Sequence, residues 1–143
     1  MVEMTSSFEL EIKTLDEDHQ NLINLANKIT DDIDKNDAVE CSVLVPQFVK
    51  LSKQHFLREE ALLAKAGYPN VQKHHDHHAG LNDKMDHMVE FSSVAANNPI
   101  AGESLKKELM YFIMDDVITS DMEFKDFMKL KERNIEKESK VSD

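Results

Sequence analysis

The chain has 143 residues, 28 acidic against 17 basic side chains and a formal net charge of −11. That is enough for one domain with its own core, and too acidic for nucleic acid or an anionic membrane surface to be the natural partner. A single cysteine, Cys41, excludes an intrachain disulfide and a cysteine-rich zinc site, and it reads as a half-buried small hydrophobe.

Three glycines, three prolines and no tryptophan among many Leu, Met, Lys and Glu predict an all-α chain, read as one domain over 1–143. The first residues, Met1 to Ser7, show neither a basic nor an apolar leader region. No apolar run approaches membrane-spanning length, so a cytoplasmic setting is expected. Residues 1–13, with Phe8, Leu10 and Ile12 alternating, read as an extended N-terminal arm.

The first helix is expected from about Leu15, capped by a Thr14/Glu17 box, with Leu15, His19, Leu22, Ile23, Ala26, Ile29 and Ile33 on one face. Asp34 to Asp37 reads as its exit. The second is expected from about Ser42 to Ala66, because Pro46 suits a first turn and Gly67 with Pro69 ends the run. Its apolar stripe carries His55 and Glu59. The third, from about Asn70 to Ala95, carries His74 and His78 on the stripe of Leu81, Met85 and Met88.

After Asn97-Asn98-Pro99 the fourth helix is expected from about Glu103, with Leu105, Leu109, Phe112, Ile113, Asp116 and Val117 inward. A Ser120/Glu123 capping pattern predicts a break near Thr119 and a last segment to about Lys137, before a frayed tail at 138–143. Four amphipathic segments with short links make an up-down-up-down four-helix bundle.

Two pairs stand at i, i+4: His55 with Glu59, and His74 with His78, one helical turn apart on one face. In an antiparallel bundle, the starts of the first and third helices meet the ends of the second and fourth. His19, His55, Glu59, His74, His78 and Asp116 therefore gather at one end of one core, with Asp121 just past the fourth stripe. Burying such groups without a counter-charge is costly, and metal cations remove that cost. Imidazole with carboxylate points to iron, manganese or zinc, with Glu59 and Asp121 as natural bridges. His75, His77 and His87 lie off the stripe and read as solvated surface; so does Asp115. The methionines read as core filling.

Leu15-Asp16-Glu17-Asp18-His19, His55-Phe56-Leu57-Arg58-Glu59-Glu60, Tyr68-Pro69 with His74 five residues after the proline, His74-x3-His78 and Asp121 together resemble the hemerythrin family in its bacterial single-domain form, over roughly residues 8–130. The resemblance implies two non-haem irons joined by Glu59, Asp121 and an oxo or hydroxo bridge, one held by His19 and His55 and the other by His74 and His78. It implies reversible O2 binding, with one electron from each iron and hydroperoxide in the oxygenated form. One position departs from the family pattern: Asp116 stands where a histidine ligand is implied, five residues before Asp121. As a substituted anionic ligand it would favour ferric over ferrous iron and shorten the life of an oxygenated state.

An O2-binding diiron protein for storage, transport or sensing is therefore the leading expectation. A diiron enzyme reacting with O2, peroxide or nitric oxide is the alternative, although no extra buried acid or tyrosine can be assigned to it. A metal-poor helical interaction module is the third reading. No physiological protein partner is implied by the residues.

Overall fold

Ile12, in extended conformation, leads into α1 (Lys13–Asp34). The computed structural model describes residues 10, 12–95 and 97–130. Thr14 lies inside the first turn, and the expected Thr14/Glu17 cap does not form. Asp16 instead accepts the Leu10 N–H at 2.8 Å and ties the entering chain to the helix. Of the expected arm 1–13, Leu10, Ile12 and Lys13 are described; Leu10 is buried, and Lys13 already belongs to α1.

Asn36, at φ 57°, makes the turn into α2 (Ala38–Ala66). Asp37, expected as the exit of the preceding helix, is the N-cap of α2 and accepts the Glu40 N–H at 3.1 Å. The helix thus begins a full turn earlier than expected, and Pro46 lies in its interior. Both Pro46 and Ser42, whose carbonyl loses its intrahelical donor, are exposed, so water can take the missing bond. Gly67 closes α2 at φ 76°, a left-handed cap that a side chain would strain.

The expected third helix is two: α3 (Val71–Gly80) and α4 (Asn82–Ala95). They meet at Leu81, whose N–H takes the tighter bond to His78 O. Gly80 is the weak helix former at that joint. Asn98 caps α5 (Pro99–Tyr111) by accepting the N–H groups of Ile100 and Ala101, and Pro99 occupies the favoured first position. This start also precedes the one expected. A Cβ on Gly102 would stand 2.7 Å from the Ala95 carbonyl oxygen and 2.8 Å from Ile33, so its absence lets α1, α4 and α5 close together.

Beyond Tyr111 the helix widens into a π-helical segment, Phe112–Thr119, and tightens into a 3-10 turn, Met122–Phe124, before helical residues 125–130. Ser120 is helical, so the expected capping box is replaced by these changes of pitch. The expected continuation to Lys137 and the tail at 138–143 lie outside the described residues.

Contacts run α1 to α2, α2 to α3 and α4, α4 to α5, and α5 back to α1, closing a four-helix bundle. No strand occurs among the described residues. The main core includes Leu22, Ile29, Phe48, Met85, Leu105 and Phe112. Each such side chain contributes about 1.5–3 kcal/mol on burial. A second, smaller cluster of Leu10, Leu15, Leu63, Tyr68 and Phe124 plugs one end. Cys41 is fully buried rather than half-buried.

Candidate metal centre

Between these apolar clusters lies a polar layer. His19, His55, Glu59 and Asp121 are each 0 % exposed, and His74 and His78 are 5 % and 4 % exposed. Apolar clusters of such placement have no reason to enclose six ionisable groups unless those groups serve one another or a common ligand.

The helical periods account for five of the six. His19 extends the buried face of α1 formed by Leu15, Leu22 and Ile23. His55 and Glu59 follow Ser52 on α2, and His74 and His78 are the buried residues of α3. Asp121 needs a different cause. It stands five residues after Asp116, which in a regular α-helix would rotate it about 140° from that residue. The π-helical segment takes up the extra residue, leaves Thr119 exposed and brings Asp121 fully inside.

Ligand atoms of His19, His55, Glu59 and Asp121 lie within 4.8 Å of one another, and so do those of Glu59, His74, His78 and Asp121. The two groups share both carboxylates. Asp121 Oδ2 faces His19 Nε2 at 2.7 Å and His55 Nε2 at 3.0 Å, while its Oδ1 lies 3.3 Å from His74 Nε2. Glu59 Oε2 lies 2.9 Å from His55 Nε2, and its Oε1 adjoins His74 Nε2 and lies 3.4 Å from His78 Nε2. Each carboxylate therefore gives one oxygen to each group.

Outer carboxylates orient two of the rings. His55 Nδ1 donates to Asp18 Oδ2 at 3.0 Å, and Arg58 grips Asp18 with both Nε (3.0 Å) and Nη2 (2.6 Å). His78 Nδ1 donates to Glu60 Oε1 at 3.0 Å, and Phe56 stacks on the His78 ring at 4.0 Å between centroids. Both histidines are thereby turned with Nε2 toward the shared carboxylates, the arrangement in which imidazole is presented to a metal. Asp18 and Glu60 were quoted in the sequence motifs without a role. Asp18 adjoins His19 in the chain yet serves His55, a cross-helix pairing that spacing alone does not reveal.

The electrostatics follow from this packing. Burial works to raise the Asp121 carboxyl pKa, but hydrogen bonds with Glu59 and from His19, His55 and His74 hold it well below the usual carboxylate range. Burial works to lower the two imidazoles, and the carboxylates outweigh it: His55 is raised well above its ordinary value, and His74 to about 9. At Asp18 and Glu60 burial is likewise outweighed, by His55 and Arg58 in one case and by His78 and His75 in the other, so both are lowered.

Within this layer, four buried polar atoms make no well-aligned hydrogen bond: His19 Nδ1, Glu59 Oε2, His78 Nε2 and Asp121 Oδ1. Three of them belong to the facing surfaces of the two groups. Orphaned acceptors and imidazole nitrogens in one layer suit cations bound between them, and a four-imidazole, two-carboxylate donor set suits iron or a similar transition metal.

Asp116 is buried, but it belongs to neither group. Its Oδ2 accepts from Lys84 Nζ at 2.8 Å, and its carbonyl oxygen accepts from His77 Nε2 at 3.0 Å. Lys84, which also lies over the Tyr111 ring, was not singled out from the sequence. His75 and His87 are half exposed and pair with Glu60 and Glu108, and Asp115 is exposed. A recess of about 220 Å³ beside His74 is lined in part by Tyr68, Lys73, His77 and Thr119.

Fold and site together define an all-α bundle with a buried histidine–carboxylate centre for metal. The hemerythrin HHE cation-binding domain matches residues 10–138, and the chain belongs to the hemerythrin family. Neither a curated protein nor a solved structure matched the chain. No helix among the described residues is long and apolar enough to cross a membrane.

Proposed function

We propose that this protein holds two irons between its histidine pairs and binds O2 there, for storage, delivery or sensing. The observation that carries the reading is the division of labour within Glu59 and Asp121: each turns one oxygen to the His19/His55 side and the other to the His74/His78 side. Glu59 and Asp121 so placed would serve both ions of a pair. His19 and His55 would hold one ion, His74 and His78 the other.

The chemistry that a ferrous pair supplies is two-electron reduction of O2, one electron per iron, reversed on release. The chain's own contribution is to position and exclude. Asp18 and Glu60 accept the Nδ1–H groups of His55 and His78 and leave Nε2 free to ligate. The apolar clusters on either side keep bulk water from the layer. Asp116 enters as an outer anion neutralised by Lys84, and it becomes a ligand only by leaving that lysine.

A second reading, turnover of O2, peroxide or nitric oxide, draws on the same residue. A carboxylate beside the centre, where the family resemblance implies an imidazole, favours the ferric state. The recess beside His74 offers a small reactant an approach from solvent. Localisation is proposed as cytoplasmic.

Anaerobic iron loading followed by O2 tests the proposal. Two irons per chain and an oxygenated spectrum that reverses under vacuum are expected. Prompt, irreversible oxidation would replace carriage by turnover or sensing. Failure to bind more than one iron would overturn the two-iron centre.

A further inference from the structure

At the other end of α1, about 20 Å along the helix from His19, three carboxylates converge. Ligand oxygens of Asp32, Asp37 and Glu40 lie within 4.8 Å of one another. Asp32 is 5 % exposed, and its buried Oδ2 has no hydrogen-bond partner. It therefore differs from an ordinary solvated acidic patch, in which water satisfies every oxygen.

Among the described residues no cation pairs directly with Asp32, and Lys35 reaches it only through its charge at longer range. The last turn of α1 contains no basic residue, and the helix C-terminus adds its own negative end. Lys35 is taken by Asp31 at 2.7 Å. Lys28 lies 3.7 Å from Glu40 Oε1, but both side chains there are solvent-exposed and the pairing is weak. Burial raises the Asp32 pKa, and the charge of Glu40, its side-chain hydrogen bond with Asp32, and the charges of Asp37 and Asp31 raise it further. Beside it, burial, Asp32 and Asp37 raise the Cys41 thiol. A buried carboxylate in this setting is relieved by a proton or by a cation.

The geometry points to a second metal site: a divalent cation of oxygen-preferring type, calcium above magnesium, bound by Asp32, Asp37 and Glu40 at the turn between α1 and α2. The donors are all carboxylate oxygens, which suit hard cations and not the softer metals of the histidine layer. Calcium accepts irregular, partly hydrated coordination, and three carboxylates on a short turn offer that; magnesium demands a near-ideal octahedron. Asp37 Oδ1 already accepts the Glu40 N–H, so the cap holds two of the three ligands in register. A bound cation would join the end of α1 to the start of α2 and leave the histidine centre unchanged.

Calorimetric titration of calcium into the full-length, iron-loaded chain, freed of calcium on a selective resin, tests this. One calcium per chain is expected. The melting temperature should rise by about 5–10 °C at a hundredfold excess over Kd, with the iron absorbance unaltered. Asp32→Asn and Glu40→Gln should each weaken binding at least tenfold, whereas Asp31→Asn, outside the cluster, should not. Glu40 is partly exposed, so its variant reports even if Asp32→Asn misfolds. Absence of both heat and melting shift with calcium or magnesium would overturn the site. So would calcium binding that survives both Asp32→Asn and Glu40→Gln. An Asp32→Asn protein more stable than a wild type indifferent to cations would assign the relief to a proton instead.

Discussion

Lys84, on α4, holds the Asp116 carboxylate at 2.8 Å, at the edge of the histidine layer and outside both groups of candidate ligands. The Lys84 side chain is 50 % exposed and the Asp116 side chain 10 %. The pair thus joins a solvated cation to a nearly buried anion next to the candidate metal centre, and the proposed irons there would feel its charge.

Replacing Lys84 by Met removes the cation and leaves Asp116 free to turn inward. Iron stoichiometry should be unchanged, and oxidation of the diferrous protein in air should accelerate several-fold. The stability change should be small, about 0–1 kcal/mol, as for a pair that is half solvated. Stopped-flow absorbance measures the oxidation; an unchanged rate would show that the Lys84–Asp116 pair does not govern it.

Asp116→Ala should also retain two irons per chain, because the other six residues complete both groups. Loss of one iron in that variant would make Asp116 a ligand after all. Asp116→His, which restores the residue the family resemblance implies, should lengthen the life of an oxygenated state.

Glu59→Gln preserves shape and removes the charge of a shared carboxylate. It should lower iron binding on both sides, whereas His78→Ala should lower it on one. Elemental analysis after reconstitution separates the two outcomes. Equal stoichiometry in the two variants would remove Glu59 from the bridging role.

Asp18→Asn weakens the grip on His55 without touching a ligand atom. A loss of about 10–100-fold in metal affinity is expected. Competition with a chelator measures it, and an unchanged affinity would make the Asp18–His55 bond merely structural.

In metal-free protein the His74 pKa is raised to about 9. Its stabilisation is full below the unfolded histidine value of about 6.5 and is lost as pH rises through about 9. The melting temperature of the metal-free chain should therefore fall across that window. Metal-loaded protein, whose histidines are already deprotonated, should not follow it. Metal affinity should rise over the same range, because binding displaces protons.

By itself, the sequence determined the all-α bundle and the inward facing of six polar residues, Asp116 among them, which the structure buries. These are consequences of local period: one face of a helix repeats every three to four residues, and His19, His55, Glu59, His74 and His78 obey that repeat along with the apolar residues. The break near Thr119 was legible as a break, but its kind was not. A π-helical turn is chosen by packing, and only that widening carries Asp121 into the layer. Pairings between helices were decided by the tertiary structure alone: Asp18 with His55, Glu60 with His78, Lys84 with Asp116. So was the burial of Asp32, which in the sequence is one more acid at a helix end. Such contacts depend on which helices adjoin and at what height. A one-dimensional pattern says which way a side chain faces, and the assembled bundle decides what it meets there.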